Sequence, residues 1–132
     1  MPEPSHRALI IDDDYAVRGL LGIAFERVNI DTDVAESGRE AMELLRRNGE
    51  KYCCVLLDLN IPPPNGQEIA RFISESLPNL PIVIVSGYQE LIEKLPEMNI
   101  GASVRLMLTK PVDAAELARY VRDQCASQSE RR

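Results

Sequence analysis

Three stretches of this chain are apolar without alternation: residues 8–11 (ALII), 53–57 (CCVLL) and 82–85 (IVIV). A strand with one wet face alternates apolar and polar side chains. An unbroken apolar strand is covered on both faces, as in a parallel sheet flanked by helices. The segments between these runs carry helical stripes. Val17, Leu20, Leu21, Ala24, Phe25 and Val28 recur at spacings of three and four, and Asn29 can end that helix. Alternating strand and helix signals of this kind select an α/β domain with short, right-handed crossovers.

The remaining units follow the same reading. IDTDVA (30–35) places Ile30, Thr32 and Val34 on one side of a half-exposed strand. Ser37 with Glu40 forms a capping pattern for a helix that turns Ala41, Leu44 and Leu45 inward. Asn65 with Glu68 caps another, with Ile69, Phe72, Ile73 and Leu77 inward and Pro78 as its stop. A short, weakly specified helix is expected over 88–96. A fifth strand, VRLML, follows, and a last helix starts at Asp113 with Leu117, Tyr120 and Val121 inward. The expected fold is a doubly wound (βα)5 three-layer sandwich, flavodoxin-like, with parallel strand order 2-1-3-4-5. Its ligand site should lie outside the carboxyl ends of the strands. The domain is expected over 7–126, between a disordered tail (1–6) and a frayed one (127–132).

Composition narrows the function. The 132 residues suffice for one domain, and 45% hydrophobic content argues against disorder. A net charge of −6 disfavours nucleic acid as a partner. No apolar run approaches the ~20 residues of a membrane span, and MPEPSHR contains no signal-peptide core, so a cytoplasmic location is expected. Cys53, Cys54 and Cys125 are an odd set without zinc spacing, and they read as reduced thiols rather than a disulfide framework. His6 reads as a solvated residue of the tail.

The strand ends concentrate the chemistry. Asp12 and Asp13 end the first strand, with Asp14 read as a solvated turn residue. Asp58 ends the third strand, directly after five apolar residues. Ser86 ends the fourth, and Lys110 precedes Pro111 after the fifth. In the 2-1-3-4-5 order the first and third strands are neighbours, so the acids converge. Three carboxylates without a counterion are electrostatically poor. A hard cation with oxygen ligands resolves this, and Mg2+ suits a few carboxylates, waters and a phosphate, with Mn2+ as a substitute. Lys110 supplies a mobile positive charge and is expected to contribute little to the core. Ser86 can donate a hydrogen bond to an incoming oxygen, and Asp58 can act as the nucleophile in phosphoryl transfer.

With LIIDDD, LLDLNIPPPNG, IVIVSGY and LTKPVD in this order, the chain resembles a bacterial response regulator receiver domain of two-component signalling over about residues 7–126. The resemblance implies that Asp58 is the phosphoacceptor. It implies that Asp13 binds Mg2+ directly and Asp12 largely through water, with the backbone carbonyl of Asn60 completing the metal shell. Pro62 and Gly66 match the loop after the acceptor, Ser86 the family's Ser/Thr, and Lys110 with Pro111 its Lys-Pro pair. A sensor histidine kinase or histidine phosphotransfer protein would supply the phosphoryl group. An output partner, or weakly a second copy, would bind the face of the fourth helix, fifth strand and fifth helix, and Gly87 and Tyr88 would take part in the switch. Two departures touch that face: Met107 stands where the family usually has Tyr or Phe, and the segment from Ser86 to Lys110 is slightly long.

Such a domain is a switch that assists its own phosphorylation, not a turnover enzyme. A Mg2+-dependent aspartyl phosphohydrolase is the enzymatic alternative, but DLN offers no acid two residues after Asp58. A receiver-like module that binds partners without phosphorylation is the other alternative, kept open by Met107.

Overall fold

A computed structural model describes residues 6–87 and 103–130, with the side chains of 127–130 excluded. Five strands form one parallel sheet: β1 (His6–Ile11), β2 (Ile30–Ala35), β3 (Cys54–Leu57), β4 (Ile82–Ser86) and β5 (Val104–Thr109). Their order is β2-β1-β3-β4-β5, as expected. The helices are α1 (Tyr15–Glu26), α2 (Gly38–Asn48), α3 (Gly66–Ser76) and α4 (Ala114–Glu130), with a 3-10 turn at Gly49–Lys51. The helix expected over 88–96 lies outside the described residues, as does Tyr88.

The unalternating strands are buried on both faces, with every residue of β3 and β4 inside. One layer of core joins β-sheet residues such as Leu9, Val55 and Ile82 to Leu45, Ile69 and Ile73 of α2 and α3. The other joins Ile10, Leu56 and Val83 to Phe25 of α1 and to Leu117 and Val121 of α4. The helix starts are capped as the spacing predicted: Ser37 Oγ accepts from the Glu40 amide at 3.2 Å, Asn65 from Glu68 at 3.0 Å and Asp113 from Glu116 at 3.0 Å. Asn29, just beyond α1, has φ 64°, a left-handed conformation that asparagine tolerates.

Several expectations are corrected. Leu20 is 63% exposed, because the α1 stripe is narrower than the spacing suggested and ends at Leu21, Ala24 and Phe25. Val34 is 43% exposed, since β2 is an edge strand buried mainly at Ile30 and Ala35. His6 is the first residue of β1, not part of a solvated tail. Cys53 and Cys125 are not free thiols. They form a disulfide with Cα atoms 5.0 Å apart, because β3 and α4 bring together positions 72 residues apart in sequence. Only Cys54 is a free cysteine among the described residues; burial pushes its thiol up to about 12, which makes it inert.

Candidate functional site

The parallel register sets the acids side by side. Ile11 pairs with Leu57, so the residues that follow, Asp12 and Asp58, leave the sheet at the same level. The amide of Asp12 donates to Ala35 O at 3.0 Å and that of Asp58 to Ile11 O at 2.9 Å, which extends the ladder to both acids. Carboxylate oxygens of Asp12, Asp13 and Asp58 lie within 4.8 Å of one another. Asp12 and Asp58 are buried, while Asp13 opens to solvent.

Lys110 bridges the two buried acids. Its Nζ lies 2.8 Å from Asp12 Oδ2 and 2.9 Å from Asp58 Oδ2. The chain delivers it there through β4: Ser86 pairs with Thr109, and the Lys110 amide donates to Ser86 O at 2.8 Å. Lys110 is therefore a paired counterion of the two buried acids rather than a free charge at a strand end. The other carboxylate oxygens accept backbone N–H groups, Asp12 Oδ1 from Asp14 at 2.8 Å and Asp58 Oδ1 from Asn60 at 3.0 Å.

These contacts do not fully offset burial. Desolvation, with the like charge of Asp58 adding to it, raises the Asp12 pKa despite the Lys110 bond. Burial opposes the charge on Lys110 as well, but the bonds and charges of Asp12 and Asp58 together outweigh it and raise its pKa. Among the described residues, the site is short of positive charge. Two buried carboxylates share one ammonium, and an exposed third stands beside them. All the donors are oxygens, one side is open, and a small hard divalent cation fits this set.

Ser86 is fully buried at the end of β4, Gly87 is exposed after it, and Asn60 is exposed beside Asp58. Pro111 follows Lys110 through a cis peptide bond. Met107 is 45% exposed on β5, so it does not act as core filler.

Two contributors escaped the sequence reading. Asp14 caps α1, accepting from the Ala16 amide at 2.9 Å and Val17 at 3.5 Å. Its position just before a helical stripe was the available signal. Arg18, one turn into α1, donates to the Asp12 carbonyl at 2.8 Å and pairs with Glu36 at 3.6 Å, tying the acidic turn to the end of β2. Nothing local in the sequence marks that contact.

Known proteins are similar to this chain in sequence and in fold. The chain is 34% identical over 115 residues to the response regulator protein PilR of Pseudomonas aeruginosa, a match covering 87% of this chain and 25% of PilR. It is 27% identical over 121 residues to SphR of Synechococcus elongatus, a transcriptional regulatory protein, of which 46% is covered. The chain thus spans a quarter to a half of these relatives. The receiver domain of the Francisella response regulator 1452 superposes with a TM-score of 0.80 at 26% identity, covering 93% of this chain and 98% of that one. A CheY-like receiver domain from Methanospirillum hungatei JF-1 gives 0.84 at 21% identity, covering 98% and 100%, and shares the fold. The family model described as the response regulator receiver domain matches residues 8–122, nearly the whole folded region, and to that family this chain belongs.

Proposed function

We propose that residues 7–126 form a phospho-accepting receiver, and that Asp58 takes a phosphoryl group from a phosphohistidine of a sensor histidine kinase or a histidine phosphotransfer protein. One observation carries this reading: among the described residues, one ammonium, that of Lys110, is shared between two buried carboxylates beside an open third. Asp13 and Asp58, with the carbonyl of Asn60, would hold Mg2+, and Asp12 would support it from the second layer. When bound, the ion neutralises charge on the phosphoryl oxygens.

The chain's own groups do the rest. A carboxylate oxygen of Asp58 forms the new P–O bond as the donor's P–N bond breaks, and the imidazole nitrogen keeps that bond's electron pair and takes a proton from solvent. The Asn60 amide and Lys110 hold the Asp58 carboxylate in place beforehand. Lys110 then offers its charge to a phosphoryl oxygen, and Ser86 offers its hydroxyl. An apolar groove of about 380 Å³, lined by Val17, Leu20, Leu21, Pro111 and Val112 next to Lys110, gives a donor protein a surface beside the acids. The signal leaves through β5 and α4, where Met107 and the groove around Tyr120 are accessible. The domain acts as a switch, populating a second conformation while phosphorylated.

Intact-mass measurement after incubation with Mg2+ and a small phosphoryl donor tests the chemistry. A single phosphoryl adduct is expected, absent with chelator and absent in a folded Asp58→Asn variant. An adduct that persists in Asp58→Asn refutes the assignment.

A further inference from the structure

The end of the sheet opposite the acids holds a second cluster of ligand atoms. His6 opens β1, Cys53 immediately precedes β3, and Cys125 lies on α4. One ring nitrogen of His6 and both sulfurs lie within 4.8 Å of one another. The Cys53 amide donates to Arg7 O at 2.8 Å, which ties the Cys53 backbone to the start of β1. Cys125 is fully buried, Cys53 is 8% exposed, and His6 is half-buried on the outer side. Five residues of strand rise separate this cluster from Asp58, roughly 16 Å.

We propose that His6, Cys53 and Cys125 form a redox-gated site for Zn2+: the reduced thiol pair and the imidazole hold the ion, and the disulfide is the closed, metal-free state. The donor set selects the metal class. Two thiolates and an imidazole, with no carboxylate among them, suit a borderline-soft ion and not the hard cation of the acidic end. The spacing agrees. Ligand atoms on a tetrahedral zinc ion stand about 3.5–3.8 Å apart, given bonds of about 2.3 Å to sulfur and 2.0 Å to nitrogen. A His6 ring nitrogen already lies within 4.8 Å of both sulfurs, and once the disulfide is reduced, a side-chain rotation about cysteines whose Cα atoms are 5.0 Å apart can bring the sulfurs to such a separation. Two thiolates on a divalent ion with neutral histidine give a site of zero net charge, which a nearly buried position tolerates.

The gating step balances with a low-molecular-weight disulfide as oxidant. The two metal-bound thiolates of Cys53 and Cys125 lose two electrons and form their S–S bond. The oxidant's S–S bond takes those electrons and becomes two thiolates, and the ion departs because its sulfur ligands are gone. A dithiol reductant reverses it.

The full chain, stripped of metal and reduced, is titrated with Co2+ and then Zn2+. Expected is one equivalent of Co2+ with the intense near-ultraviolet band of thiolate-to-cobalt charge transfer, bleached by Zn2+, unaffected by excess Mg2+, and abolished by glutathione disulfide until reductant is restored. Cobalt at the carboxylates gives no such band, so the two ends of the sheet are read separately. Cys53→Ser and Cys125→Ser should each remove the tetrahedral two-sulfur spectrum. His6→Ala should weaken binding on the order of tenfold or more, one of three protein ligands being lost. A reduced wild-type chain that keeps its circular dichroism spectrum but shows no charge-transfer band overturns the proposal. So does an unchanged affinity in His6→Ala.

Discussion

Lys110→Met removes the ammonium shared by Asp12 and Asp58 and leaves an unbranched apolar stem in its place. Without divalent cation, the variant buries two carboxylates whose side chains are only 4% and 6% exposed. Deleting one partner of a buried ion pair costs roughly 3–5 kcal/mol. Two features reduce that figure here: the Lys110 side chain is 21% exposed, and each carboxylate keeps a backbone donor, from Asp14 and from Asn60. The expected loss is about 2–3 kcal/mol, or roughly 10 °C in Tm for a domain of this size. Urea unfolding at neutral pH with chelator measures it, and millimolar Mg2+ should close part of the gap by replacing the missing charge.

The pH dependence has a definite sign. Burial already raises the Asp12 pKa in the folded state, and losing the Lys110 bond raises it further. The folded variant then binds a proton more readily than the unfolded chain, so its deficit shrinks as pH falls toward the ordinary carboxylate range and is largest near neutrality. A variant within about 0.5 kcal/mol of wild type in chelator, or a deficit that grows on acidification, would refute the reasoning, since surface substitutions alone stay within that range.

Other perturbations follow from the same geometry. Asp13→Ala removes the exposed acid beside two buried ones; the chelated protein should unfold at higher urea, and a Mg2+ titration of that midpoint should show weaker binding. Gly66→Ala would place a Cβ against the Leu59 backbone and 2.6 Å from the Asp58 carbonyl, costing about 2 kcal/mol in chemical denaturation. Gly19→Ala, inside α1 with nothing within 4 Å of the added methyl, should instead stabilise by up to about 1 kcal/mol. Reducing Cys53–Cys125, which closes a loop spanning 72 residues, should cost the metal-free protein about 4 kcal/mol, with a Cys53→Ala, Cys125→Ala double variant insensitive to reductant.

Strand identity and order were legible because unbroken apolar runs have few other homes than a covered parallel sheet, and the caps at Ser37, Asn65 and Asp113 were legible because they are local. The convergence of Asp12, Asp13 and Asp58 followed from topology once the strand order was assumed. What escaped depends on distances across the fold. Arg18 reaches a carbonyl six residues back only because α1 turns over the end of β1. The Cys53–Cys125 pair depends on the path of α4 past the start of β3, which no spacing rule encodes. Leu20 and Val34 were misplaced for a simpler reason: apolar periodicity marks a face, but how far that face is covered depends on the neighbour that arrives.

The loop after Asp58 is braced from outside its own sequence. The Gly38 amide donates to Pro62 O at 2.9 Å, and a methyl on Gly38 would run into the Pro64 carbonyl. Neither Gly38 nor Gly66 has a positive φ, so lack of room rather than backbone conformation demands glycine at both. The start of α2 and the PPP segment therefore share one tightly filled volume, so added bulk on one side must be matched by a shift on the other. A genetic selection for recovery from Gly38→Ala would return its second-site changes within residues 62–65, more than twenty positions away along the chain.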